Sequence, residues 1–312
     1  MRAVIFGASG FIGSHVLEAF AGAGWDAVPV VRKTSDVSFA RGLGLEPRAV
    51  DFGDESSISG VIAPGDVVCN GIALPGSADR RALEETEVEL TARIVRAARD
   101  AGARAYLQLS SIIAYGNRLP PEGIDEAFPP RPDDLLGTVS LRRERTVEEN
   151  CGPLPYVLLQ PVSTIGARDR NSFSARMKSM YAQGRFPLVG GGKARLSLID
   201  TRDIGRAFVH AAQNLDALAD RKWLVGGFDA SWVEIFDAFR RLAGEDHGAL
   251  RLPLPAARGL ALIGGLTGGK RFSPVMLRML SRNRLYDDRA FRATGFRPEY
   301  GLEDALGRAL AG

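Results

Sequence analysis

The chain has 312 residues, 45% of them hydrophobic and 25% charged, with a formal net charge of +3. That composition is ordinary for a folded globular chain and excludes a disordered one, and no Lys/Arg run interleaved with aromatics points to nucleic acid. Two cysteines (Cys69, Cys151) and three scattered histidines (His15, His210, His247) exclude a disulfide framework and give no metal-ligand spacing, so no metal is expected.

In chain order, Ala3-Val4-Ile5-Phe6 is a short β-branched run, followed by glycines and a helical pattern over 12–23. Strands are expected at 28–31, 66–70, 105–109 and 156–159, with a long helix over 82–101 whose stripe is Leu90, Ile94, Val95 and Ala98. This βαβα alternation of apolar strands predicts an α/β fold, a Rossmann-type doubly wound parallel sheet covered by helices on both faces. Past Gln160-Pro161 the alternation loosens. A helix is expected over 172–183, a turn at 190–192, strands at 197–200 and 223–226, and helices over 232–242, 256–266, 274–281 and 302–310. The domain reading is a dinucleotide-binding unit over 1–160, rejoined by 196–227. A smaller interwoven carboxy-terminal substrate region comprises 161–195 and 228–312. The longest apolar stretch, 253–269, holds an arginine and several glycines and falls short of the about 20 residues a membrane span needs. With a strand opening the chain and no leader in front of it, a cytoplasmic location is expected.

The loop Gly7-Ala8-Ser9-Gly10-Phe11-Ile12-Gly13 joins the first strand to the first helix. Such a loop binds a dinucleotide for physical reasons. The first glycine makes the turn, the second lets the backbone approach a diphosphate, and the third lets helix and strand pack closely. The second strand ends Val30-Val31-Arg32-Lys33, with Val31 where an NAD site places a carboxylate for the ribose hydroxyls. Arg32 and Lys33 suit a 2′-phosphate, so NADP(H) is expected in preference to NAD(H); the alternative is a pair of solvated loop cations.

These motifs resemble the extended short-chain dehydrogenase/reductase family, the NAD-dependent epimerase/dehydratase group, over nearly the whole chain. The resemblance implies cofactor contacts at Asp51 and Phe52 near the adenine, at Asn70, Gly71, Ile72 and Ala73 after the fourth strand, and at Leu109. It also implies contacts at Gln160, Pro161, Val162 and Ser163 beside the nicotinamide, where Gln160 replaces the family's arginine. Ser110-Ser111-Ile112-Ile113-Ala114-Tyr115-Gly116 is similar to the family's SSxxxYG segment and makes Ser111 the active-site serine. Residues 198–207 and 294–304 resemble its later strand-to-helix element and its carboxy-terminal pattern.

One motif is missing. The family's Tyr and Lys, four residues apart, correspond here to Leu136 and Ser140, in a register set by Pro132, Gly137 and Glu144, and the family's asparagine in the preceding helix corresponds to Glu87. A leucine has no proton to give. Three readings stand open. One is an atypical NADP(H)-dependent oxidoreductase acting on a lipophilic carbonyl or conjugated metabolite, with Ser111 and Tyr115 as catalytic candidates and Arg142 or Arg143 polarising an oxygen. Another is a cofactor-binding protein without redox turnover. The third is a non-redox isomerase or lyase, or a sugar-nucleotide-modifying enzyme, in the same cleft. A small-molecule substrate and a possible homodimer are the partners expected.

Overall fold

The runs RAVIF, VVCN, AYLQL and YVLLQP are buried nearly throughout, which suits strands covered by helices on both faces. The computed structural model describes residues 1–74, 76–266 and 274–311, with the backbone alone at 263–266. In it, β1 (Arg2–Phe6), β2 (Asp26–Val31), β3 (Arg48–Ala49), β4 (Val67–Asn70), β5 (Ala105–Leu109) and β6 (Tyr156–Pro161) join a later strand, β10 (Arg221–Val225), in one sheet. Its order is β10-β6-β5-β4-β1-β2-β3, and every pairing is parallel. The order reverses between β1 and β4, and a doubly wound sheet opens its ligand crevice at that switch, beyond the carboxyl ends of the strands.

The remaining strands form two small sheets. β7 (Ser163–Ile165) and β9 (Arg195–Asp200) pair in parallel, and β11 (Phe228–Ser231) runs antiparallel to β9. β8 (Phe186–Val189) pairs with β12 (Ala249–Leu252). The strand expected at 197–200 lies in the segment expected to return to the large sheet. It pairs in a small sheet instead, and the return is made by the helix Thr201–Gln213 and by β10. That helix lies on the helix Phe11–Gly22 at very close range. A Cβ on Gly205 would sit 2.4 Å from the His15 carbonyl oxygen, so a glycine is required there.

The expected helix over 82–101 is Arg80–Leu83, a π-helical turn Glu84–Glu89, and Leu90–Asp100. The helices expected over 172–183, 232–242, 274–281 and 302–310 lie at Phe173–Ala182, Trp232–Ala243, Pro274–Ser281 and Leu302–Ala311. The helix expected over 256–266 is Leu254–Leu266, and the end of the apolar stretch 253–269 lies outside the described residues. No helix among the described residues is long and apolar enough to cross a membrane.

Candidate active site

The glycine loop closes on itself and on its neighbour. Gly7 takes φ +78°, and a Cβ there would lie 3.0 Å from the Gly71 carbonyl carbon and the Ile72 nitrogen. A Cβ on Gly13 would lie 2.1 Å from the Gly7 oxygen. The helix Phe11–Gly22 then starts at Gly10 with no side-chain cap and no acid in its first turn. Its first N–H groups lack helical partners and the positive end of its dipole is not offset, which favours a bound anion.

In front of this helix start lies a cleft of about 450 Å³. It brings together Gly7, Ser9, Gly10, Arg32, Phe52, Gly71, Ile72 and Ala73 of the residues expected from sequence. Phe11, Ile12 and Gly13 form the first helical turn behind it. Lys33 and Asp51 are exposed and do not line it; the Asp51 carboxylate accepts from the Gly53 amide at 2.9 Å and stabilises its own turn. Asn70 turns its side chain into the core, toward Thr91, Tyr106 and Gln108, and accepts from the Ile72 amide at 3.1 Å, fixing the loop that forms one wall. Sequence reasoning missed Ser35, Leu74, Thr86, Leu90 and Arg93 in the lining. The last three come from the π turn and the helix after it, where the face turned to the cleft depends on a change of helical register. Arg32 is exposed, and its amide donates to Ser35 Oγ at 3.2 Å. The glycines, the unoffset helix start and the apolar Phe52 and Leu90 surfaces fit a dinucleotide.

A second grip on the same helix comes from the loop after β7. Arg168, at φ +66°, donates to Ser14 Oγ at 2.9 Å and to His15 Nδ1 and Glu18 Oε2 at 2.8 Å each. A guanidinium only donates, so His15 Nδ1 accepts, and its Nε2–H donates to the Ala167 carbonyl at 3.1 Å. Burial, followed by the charge of Arg168, pushes the imidazole down to about 4, so the ring is neutral near pH 7.

Ser111 follows β5 and is half-buried, and its hydroxyl accepts from the Ile113 amide at 3.3 Å at the start of a short 3₁₀ turn. Tyr115, expected as a hydroxyl donor to substrate, is 1% exposed. Its hydroxyl donates to Gln160 Oε1 at 2.9 Å, and the Gln160 amide donates to Glu144 Oε1 at 2.7 Å. Ser110 donates to the same carboxylate oxygen. Tyr115 is therefore a core residue here, because its ring packs inward from the end of the 3₁₀ turn that follows β5. The Gln160 side chain is likewise turned away from the cleft. Leu109, Pro161 and Val162 are buried at the strand ends, and Ser163 is half-buried. Burial holds the Glu144 carboxyl above its usual range, against the pull of the Ser110 and Gln160 hydrogen bonds. Burial and the nearby Glu144 charge push the Tyr115 phenol up as well.

The helix Leu135–Asn150 begins with Asp134 accepting from the Gly137 amide at 2.7 Å. Gly137 lets it approach the 3₁₀ turn: a Cβ there would lie 2.6 Å from the Ile113 oxygen. Leu136 is half-buried and packs with Leu135 and Leu74 around a small apolar cluster of Leu83, Val88 and Val139. Ser140 is fully buried, and its hydroxyl has no hydrogen-bond partner among the described residues. One turn on, Arg143 is 3% exposed and pairs with Glu87 Oε2 at 3.0 Å, while Glu87 Oε1 accepts from the Leu74 amide at 2.8 Å. Arg142 pairs with Glu84 on the same π turn. The two arginines expected as cations for a substrate oxygen are thus both engaged in fastening this helix to the helix before it.

The comparison with known proteins agrees with this geometry. A family model described as the NAD dependent epimerase/dehydratase family matches residues 3–226. Subunit 9 of the NADH dehydrogenase 1 alpha subcomplex of Arabidopsis thaliana is 25% identical over 83% of this chain, which spans 62% of that relative's length. A 4-hydroxy-2-methyl-3-oxo-4-farnesyl-3,4-dihydroquinoline-1-oxide ketoreductase from Stigmatella aurantiaca is 23% identical over 95% of this chain and 92% of its own. The UDP-glucuronic acid 4-epimerase from Bacillus cereus, solved with NAD, superposes with a TM-score of 0.78 at 19% identity, covering 100% of this chain and 98% of that one. The chain belongs to the NAD dependent epimerase/dehydratase family.

Proposed function

We propose that the protein binds NADP(H) in this cleft and reduces a lipophilic carbonyl or conjugated small molecule without a phenol as proton donor. The observation that carries the reading is a dinucleotide cleft whose wall residue Leu74 packs into the same apolar cluster as Leu136. The acid-free helix start receives the diphosphate, and Arg32, with no carboxylate at Val31, receives the 2′-phosphate. Phe52 and Leu90 offer apolar surface to the adenine. When bound, the nicotinamide supplies the hydride. The Ser111 hydroxyl orients the substrate oxygen, and Leu136 with its neighbours excludes water from the reacting end. With no phenol at 136, the product leaves as its anion and takes its proton from solvent after release. That suits an acceptor whose reduced form is a delocalised anion, because such an anion needs little acid help. The relative named as a ketoreductase of a farnesylated quinoline oxide supports a lipophilic carbonyl over a sugar nucleotide.

A second reading, binding without turnover, is favoured by one observation: positions 136 and 140 offer neither phenol nor ammonium. Titration with NADPH and NADH, read by fluorescence and melting temperature, comes first, since a ligand of the native state raises apparent stability by mass action. The expected result is at least ~10-fold tighter binding of NADPH, with Arg32→Ala removing most of the difference. Turnover on conjugated carbonyls that disappears in Gly10→Asp supports the reductase. Binding without turnover across a broad carbonyl panel supports the second reading, and binding of neither nucleotide removes both.

A further inference from the structure

The helix Leu254–Leu266 has 13 residues, and its sequence is apolar but for a single charge at Arg258. A helix of that composition is ordinarily buried all round. Here Ala257 and Ala261, one turn apart, are turned inward at 0% and 3% exposure, while Leu260 and Leu262 stand 46% and 68% exposed. Leu250, on β12 just before the helix, is 46% exposed.

The surrounding sequence is equally unusual in charge. Residues 247–286 hold seven of the chain's 40 Lys and Arg and none of its 37 Asp and Glu, so the whole positive excess of the protein resides there. Arg251, Arg258 and Arg282 are exposed and form no ion pair among the described residues.

We propose that this face docks on an anionic lipid bilayer. Leu260 and Leu262 enter the interface, and Arg251, Arg258 and Arg282 meet headgroup phosphates. Surface binding to a bilayer scales with the apolar area that enters the interface plus the attraction of cations to anionic lipid, and exposed leucines beside unpaired arginines offer both. The described helix is too short to span: 13 residues rise about 20 Å, against a hydrocarbon core of about 30 Å. A second copy is the weaker occupant. A two-fold contact sets each patch against itself, and these cations would then face cations with no acid of the segment to offset them. The proposal is independent of the chemistry assigned to the cleft.

The test is flotation of the full-length protein with vesicles of phosphatidylcholine, with and without phosphatidylserine. We expect capture by the serine-containing vesicles and release at high salt, where surface charges are screened. Leu260→Asp/Leu262→Asp should lower the bound fraction at least ~10-fold with an unchanged melting temperature, because both side chains are exposed. Arg251→Glu/Arg258→Glu should have a similar effect. No flotation with either vesicle, or flotation of the leucine variant equal to that of the unaltered protein, overturns the proposal. A concentration-dependent dimer that the same substitutions dissociate, in a protein that does not float, overturns it too and assigns the face to a second copy.

Discussion

Single residues decide where this site is rigid and where it departs from its family. Burial, and after it the charge of the neighbouring Arg168, holds His15 neutral against the pull of its hydrogen bond to Ala167. Its folded value of about 4 lies below the ordinary 6.5, so between those values the unfolded chain binds more protons. Stability should therefore be fully present above about pH 6.5 and fall as the pH drops toward 4, by about 3 kcal/mol in all. Urea denaturation at several pH values checks this, and His15→Asn should flatten the dependence. Leu136 is the opposite kind of residue, a half-buried side chain at the position where a proton donor belongs. Leu136→Tyr should raise turnover of an unconjugated ketone by at least ~10-fold while changing little for a conjugated one. Equal effects on both substrates would show that proton supply does not limit the reaction.

At the scale of elements, close approach governs the glycine loop and paired charge governs the far helix. Gly13→Ala places a Cβ within bonding range of the Gly7 oxygen, so the loop or the helix must shift. A loss of about 1–3 kcal/mol is expected, together with loss of nucleotide binding. Arg143→Met strands a buried Glu87 carboxylate and should cost about 3–5 kcal/mol, whereas Arg143→Met with Glu87→Met should cost less; thermal or urea unfolding of both variants checks the order. These two elements also mark what can be read from sequence. The glycine loop is local: strand, turn and helix follow one another within a dozen residues, and their spacing carries the geometry. The Glu87–Arg143 pair joins residues far apart in the chain, and a π turn sets which face of its helix carries Glu87, so neither partner advertises the other. Tyr115 illustrates a different obstacle. A tyrosine in a short turn after a strand can face a cleft or a core with the same flanking residues, and only the Gln160–Glu144 chain settles which. The two- and three-residue strands β3 and β7 are too short to show a periodicity at all.

For the whole molecule, the large sheet is readable because its strands alternate with helices, while the small sheets form between segments distant in sequence. The helices Phe11–Gly22 and Thr201–Gln213 meet at Gly205. Gly205→Val should weaken nucleotide binding and lower the melting temperature together, since its side chain would press on the helix that receives the diphosphate. The Arg168 loop touches that same helix at Ser14, His15 and Glu18. One helix thus starts at the cleft and carries the Arg168 contacts along its first turns, and thermodynamics makes any coupling through it two-way. If substrate alters the hold of Arg168 and thereby tightens or loosens the cofactor by some factor, the cofactor must change substrate affinity by that same factor. Order of addition could then set the path to the ternary complex, never its final free energy.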